Sequence, residues 1–329
     1  MNCEFTLEIG LCGKKASHVI NRGYSYFLCN SHYFDEKIIV IMIGKNEEKT
    51  IGAAIDSLHL QNHPPVAVLY VDDGSTDKSV QIANIHVKHF EYGRVIERPY
   101  RINGPYLVGQ PAMANLINLG LYQYKYSEDI DYFMIMNASI YLPTGYIENL
   151  LQKFREDKYL AIASGSLQIN GVGINKHAPS GAGRMIKTDF LDRYSLNRCL
   201  PIYYGWESEI MSTAMRMGRK VDVFQEIEMY SLKGLRQKKL NYIHWGRAMR
   251  ALGYSFVSML VRAVLMTGAR KTPKPAVQLI AGYFSSYWTW GNLTNRERER
   301  VNATRKWYRK FEIKHKANKA LHIISSKLF

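Results

Sequence analysis

Three short, nearly unbroken apolar runs constrain this chain most: Lys37–Gly44 (KIIVIMIG), Val66–Val71 (VAVLYV) and Tyr132–Met136 (YFMIM). Runs of this length with no polar alternation read as strands buried on both faces. Between them lie stretches with apolar residues at helical spacing. Ile51, Ala54, Ile55 and Leu58 predict a helix over Thr50–Leu60, and further helices are expected over Lys78–His86 and Ala112–Tyr122. A shorter strand is expected around Arg94–Glu97. Strands alternating with helices predict an α/β fold, a mostly parallel sheet with helices on both faces. In such sheets ligands bind beyond the carboxyl ends of the strands, so functional residues are expected just after Gly44, Val71 and Met136.

The second strand stops abruptly in Asp72-Asp73-Gly74-Ser75-Thr76-Asp77. Paired carboxylates at a strand end can accept hydrogen bonds from a base or a sugar, and Asp77 can cap the next helix. The same residues also make an ordinary tight turn.

The order strand, Lys45-Asn46-Glu47-Glu48, amphipathic helix, strand, Val71-Asp72-Asp73-Gly74-Ser75-Thr76-Asp77, helix resembles the inverting family 2 glycosyltransferases over about 200 residues. The resemblance implies a GT-A fold, Rossmann-like, over residues 36–235. It also implies a nucleotide-sugar donor pocket lined by Lys45, Asn46, Glu47, Asp72 and Asp73, with Asp72 reading the base. Asn115 falls where the family also contacts the donor. At the end of the fourth strand the family carries a D-x-D that binds a divalent cation. This chain has Asn137-Ala138-Ser139 there, and Ser231 where a second ligand, a His, is often found. Hard cations want carboxylates, so a catalytic Mg²⁺ or Mn²⁺ is doubtful. Cationic side chains such as Arg184, Lys233, Arg236, Lys238 and Lys239 would neutralise the departing diphosphate instead. Asp129-Ile130-Asp131 has the D-x-D spelling but precedes its strand, at the wrong end of the sheet.

Tyr204-Gly205-Trp206-Glu207-Ser208-Glu209 resembles the family's acceptor-side element and precedes an expected helix, Ile210–Met217. The resemblance puts Glu207 at the catalytic base, with Glu209 as the fallback and Trp206 as a ring for stacking on a sugar. Inverting transfer needs a carboxylate to take the proton of the attacking hydroxyl. Either glutamate could equally serve only to complement the positive helix N-terminus.

Ahead of this domain, residues 1–35 hold Cys3, Cys12, Cys29 and His32. Four such ligands in a segment too short for its own core predict a small module stapled by structural Zn²⁺, with buried or free thiols as the other reading. The first 17 residues lack the basic start and apolar run of a secretory signal, so a cytoplasmic location is expected.

Charge divides the chain. Residues 1–232 hold 23 Lys/Arg against 25 Asp/Glu, whereas residues 233–329 hold 21 against 3. The third region, 236–329, is therefore expected to be basic and helical, facing an anionic partner. Its apolar stretches, Ser255–Gly268 and Ala276–Gly291, are short for a membrane span. Ser255, Ser258 and Arg262 form a polar stripe on the first, and Tyr283, Phe284, Tyr287, Trp288 and Trp290 enrich the second. These features fit peripheral attachment to an anionic membrane inner face; plain packing of helices against the catalytic domain is the alternative. The expected function is inverting transfer of a sugar to a lipid-linked, glycan or protein hydroxyl. The rivals are a non-catalytic donor-binding relative and a zinc-and-basic-tail scaffold for nucleic acid, the latter lacking any recognisable nucleic-acid module.

Overall fold

The computed structural model describes residues 36–98, 111–124, 130–175, 178–194, 198–202, 204–234, 242–270 and 272–285. It adds five isolated positions, 299, 302–303 and 305–306. The cysteine and histidine set Cys3, Cys12, Cys29 and His32 lies outside the described residues, as do Asp129, Arg236, Lys238, Lys239, Tyr287, Trp288 and Trp290.

From residue 36 onward the α/β pattern unfolds in the expected order: β1 (Ile38–Gly44), α1 (Ile51–His59), β2 (Ala67–Asp72), α2 (Ser79–His86), β3 (Tyr92–Glu97), α3 (Pro111–Gln123) and β4 (Tyr132–Asn137). There follow β5 (Ile140–Tyr141), α4 (Tyr146–Glu156), β6 (Leu160–Ile169), β7 (Val172–Gly173), β8 (Gly183–Lys187), α5 (Thr188–Tyr194), α6 (Trp206–Arg216) and β9 (Lys220–Ser231). Three helices complete the described part: α7 (Tyr242–Ala251), α8 (Phe256–Arg270) and α9 (Lys274–Phe284).

The sheet order is β3-β2-β1-β4-β8-β6-β9-β5, with β7 paired to β6. β3, β2, β1 and β4 run parallel, β8 is antiparallel to both neighbours, and β9 runs parallel to β6. Successive side chains of a strand point to opposite faces, and β1 is buried on both. Ile38, Val40 and Met42 join α1, α2 and α4 in one apolar layer. Ile39, Ile41 and Ile43 join α3, α5 and α6 in the other. That two-sided covering is why the apolar runs are continuous in sequence, and the arrangement fits the expected GT-A architecture.

α7, α8 and α9 build a separate small cluster from Tyr242, Met249, Met259, Ala263, Ala276, Leu279 and Tyr283. α7 and α9 cross at two glycines. A Cβ on Gly246 would stand 2.1 Å from the Leu279 carbonyl oxygen, and one on Gly282 would stand 2.0 Å from that of Ile243. Only residues without a side chain allow backbones this close.

Candidate active site

The loops after β1, β2 and β4 meet at the carboxyl edge of the sheet. Their backbones are stitched directly: the Asp73 N–H donates to the Gly44 carbonyl and the Ala138 N–H to the Ile43 carbonyl, each at 3.0 Å. Side chains add a second layer of stitching. Asn46 sits at φ +55°, a left-handed conformation that Asn tolerates better than most residues. Its side-chain oxygen accepts the Thr76 N–H at 2.8 Å, while its own N–H donates to Ser75 Oγ at 2.9 Å. Glu47 N–H donates to Ser79 Oγ at 2.6 Å. Thr50, at the head of α1, donates its hydroxyl to the Glu47 carboxylate at 2.9 Å and lies 3.1 Å from the Ala138 carbonyl oxygen.

The two adjacent aspartates of the β2 loop have different jobs. Asp72 is buried, and its carboxylate accepts the N–H groups of Gly74 and Ser75 at 2.9 and 2.7 Å. It also accepts the hydroxyls of Ser75 and Tyr70. Burial, then the Asp72 charge, hold the Tyr70 phenol well above its usual range, so it stays a protonated donor. Those four donors leave Asp72 organising its own loop, where the sequence offers it as the reader of the base. Asp73 is paired with Arg98 Nη1 at 2.6 Å at the end of β3. Arg98 is invisible to sequence reasoning, since no local pattern joins it to a carboxylate 25 residues earlier. Asp77 accepts from the N–H and hydroxyl of Ser79 in the first turn of α2 and from the Glu48 N–H. Burial pushes its carboxyl upward, but these hydrogen bonds outweigh it and the net displacement is below the usual carboxylate range.

Lys45 and Asn137 are partly exposed at the ends of β1 and β4, and Asn115 is exposed on α3. On that helix it is Asn118 that is structurally fixed, exchanging hydrogen bonds of 2.7 Å with both backbone groups of Leu200. Asn137-Ala138-Ser139 is followed by β5, which pairs with the end of β9: Ile140 lies opposite Ser231, and the Leu232 N–H donates to the Ser139 carbonyl at 2.9 Å. The Ser231 hydroxyl is turned to the Lys233 carbonyl. Neither strand end supplies a carboxylate, so these residues do not fit a hard divalent cation. A cation is nevertheless present in the chain itself: the Lys233 ammonium is ion-paired with the Glu47 carboxylate.

β8 runs back from this edge, and its second residue, Arg184, lies opposite Ile135 near the end of β4. Arg184 is 1% exposed. One guanidinium nitrogen donates to the Pro179 carbonyl at 2.8 Å and to Glu207 Oε2 at 3.1 Å. Nε and Nη1 have no hydrogen-bond partner among the described residues. Glu207 stands in the first turn of α6 and keeps 32% of its side chain exposed. Gly205, at φ +83°, turns the chain into that helix.

Glu209, two residues on, is 1% exposed. Its carboxylate accepts the hydroxyls of Tyr194 and, at 2.9 Å, Thr213. Trp206, offered by the sequence as a sugar-stacking ring, packs into the apolar layer of α3, α5 and α6. At 2% exposure its faces are covered by the core, because the first residue of α6 points inward. Arg184 and Glu207 are thus brought together, while Glu209 and Trp206 face into the protein.

Asp131 sits at the opposite, amino end of β4, where its carboxylate accepts the Lys37 N–H at 2.9 Å. Also remote from the loops, near the carboxyl ends of α1 and α2, Asp56, His86 and His89 bring potential ligand atoms within 4.8 Å of one another. Of these, His86 Nδ1 and Asp56 Oδ1 are 2.6 Å apart.

Residues 39–106 match the family model described as Glycosyl transferase family 2. Among solved structures, the mannosyltransferase PcManGT from Pyrobaculum calidifontis, in complex with GDP-Man and Mn²⁺, shares the fold with a TM-score of 0.50. Its identity is 14%, over 77% of this chain and 87% of that one. TarS of S. aureus gives a TM-score of 0.49 at 17% identity, over 80% of this chain and 47% of that one, so the chain spans about half the length of TarS. Glucosyl-3-phosphoglycerate synthase from Mycobacterium tuberculosis gives 0.47 at 16% identity, over 65% and 78% respectively. No curated protein matches the chain. The family match covers the loops that carry Asn46, Asp72 and Asp73 and points to a glycosyltransferase domain, while PcManGT shares its fold.

Proposed function

We propose that the domain transfers a sugar from a nucleotide diphosphate donor to a hydroxyl, with inversion, using Glu207 as the base. The observation that carries this reading is the Arg184–Glu207 pair. A buried guanidinium holds one oxygen of a partly exposed carboxylate at the edge where the donor loops converge. In the reaction the acceptor oxygen bonds to the anomeric carbon as the carbon–oxygen bond to the diphosphate breaks. The bonding pair leaves with the diphosphate, and the acceptor proton passes to Glu207. Arg184 orients Glu207 Oε2 and leaves Oε1 for that proton. Asp73, braced by Arg98, and Asn46 line the nucleotide end, while buried Asp72 shapes the loop between them.

Lys233 takes the charge-neutralising role at the diphosphate. Its ammonium reaches the loop after β1, and the ends of β4 and β9 offer Asn137, Ser139 and Ser231 in place of carboxylates. Preorganised cations of this kind stabilise a leaving group as its charge develops. The same missing carboxylates motivate a second reading, a domain that binds donor without turnover.

Thermal shift with UDP-, GDP- and dTDP-sugars, in EDTA and with added Mn²⁺, tests the pocket first. Stabilisation by one donor regardless of metal supports the Lys233 role; stabilisation that needs metal removes it. Glu207→Gln is then expected to cut transfer at least about 10²-fold with donor stabilisation retained. Transfer at the wild-type rate in that variant would sink the assignment. Donor stabilisation in the parent protein with no turnover over a broad acceptor panel selects the second reading.

A further inference from the structure

α8 is amphipathic in the reverse of the usual sense. Ser258 turns toward the protein, buried beside Met259 and Ala263, and the hydroxyl of Ser255, exposed just ahead of the helix, donates to it at 2.9 Å. Arg262 lies over the rings of Trp245 and Tyr254, 5.1 and 5.7 Å from their centroids. The opposite face carries Val257, Leu260, Val261, Val264 and Leu265, at spacings i, i+3, i+4, i+7 and i+8. Val257, Val261, Val264 and Leu265 are 67%, 50%, 71% and 67% exposed. Phe256 extends the stripe to exposed Phe284 on α9, with ring centroids 5.9 Å apart. Scattered exposed apolar residues are ordinary, but a continuous stripe along a helix marks a surface that something covers.

Charge points to the occupant. Residues 233–296 contain no Asp or Glu, and residues 233–274 contain ten Lys or Arg. An apolar helix face set in a segment rich in cations and free of carboxylates complements a surface that is apolar inside and anionic outside. No helix among the described residues is long and apolar enough to cross a membrane. We propose that α8 lies flat in the interface of an anionic lipid bilayer, inserting Val257, Leu260, Val261, Val264 and Leu265, with the surrounding cations meeting the headgroups. This docking stands independently of the glycosyl transfer proposed above.

The test is co-sedimentation of the full chain with vesicles of phosphatidylcholine, alone or with phosphatidylglycerol added, in low and high salt. The wild-type chain is expected to bind the anionic vesicles more tightly, and less so as salt rises. Val257→Glu and Val264→Glu, both at exposed positions, are each expected to weaken binding by about 10-fold or more at unchanged melting temperature. If either variant melts lower, Val264→Ser and Leu265→Ser give the same comparison without an added charge, with a smaller loss. Three results overturn the proposal: no vesicle binding by the wild type, variants that bind as tightly as the wild type, and a soluble dimer that Val264→Glu dissociates. Undiminished binding by the variants would assign attachment to the basic segments alone, and the dimer would assign the stripe to a second copy of this chain.

Discussion

α4 and α8 are both two-faced helices, and they meet the rest of the molecule by opposite faces. α4 buries Ile147, Leu150, Leu151 and Phe154 against the sheet and turns Lys153, Arg155 and Glu156 outward or into surface ion pairs. α8 buries Ser258, Met259 and Ala263 and leaves its branched apolar residues outside. The difference lies in what each has to pack against. The sheet offers α4 a broad apolar floor, and burying large side chains there is the main favourable term. α7 and α9 already cross through Gly246 and Gly282 with their backbones nearly touching. That leaves α8 beside a narrow pair, where small and polar residues fit and an arginine can lie across two rings.

The comparison breaks first in the cores. Phe154→Ala on α4 is expected to cost ~3–5 kcal/mol in urea unfolding, whereas Val264→Ala on α8 should change stability by less than about 0.5 kcal/mol. Comparable losses at the two sites would mean that the outer face of α8 is covered within the chain. Next in size is the crossing itself. Gly282→Ala places a methyl against the Ile243 carbonyl and is expected to destabilise by ~1–3 kcal/mol. A neutral result would show that the close approach of α7 and α9 is not what holds them.

The smallest effect is set by pH. Asp77 is held below its ordinary value of 3.8 in the folded protein. A depressed folded value means its contribution is full above about pH 4 and fades as pH falls through the folded value. The stability gap between wild type and Asp77→Asn should therefore be constant near neutrality and shrink below about pH 4, as followed by urea midpoints. The Val264→Ala comparison should show no such drift, since the segment around α8 has no carboxylate to titrate. A gap that widened in acid would reverse the sign assigned to Asp77.

Much of the site is readable in the sequence because it follows from strand ends. Gly44, Asp72 and Asn137 close their strands, or fall next to the close, as the apolar runs predict. Parallel pairing of β1 with β2 and β4 then brings the three loops together. What stays hidden is the division of labour between neighbours. Asp72 and Asp73 are adjacent letters, yet one is sealed by Tyr70, Ser75 and two N–H groups and the other faces Arg98. Glu207 and Glu209 are two residues apart on α6, a rotation of about 200° around a helix of 3.6 residues per turn. One emerges beside Arg184 while the other is enclosed by Tyr194 and Thr213.

By itself, then, the sequence determined the periodicities: continuous apolar strands, amphipathic helices, turns placed at strand ends and a basic last third. These are local properties, carried by side-chain spacing and backbone preference. The tertiary structure alone decided which side of each period is inside. It paired Asp73 with Arg98 and Arg184 with Glu207, put Trp206 into the core and turned the apolar face of α8 outward. Those outcomes depend on the surface that a distant segment presents, and a helix or a loop carries no record of that surface in its own residues.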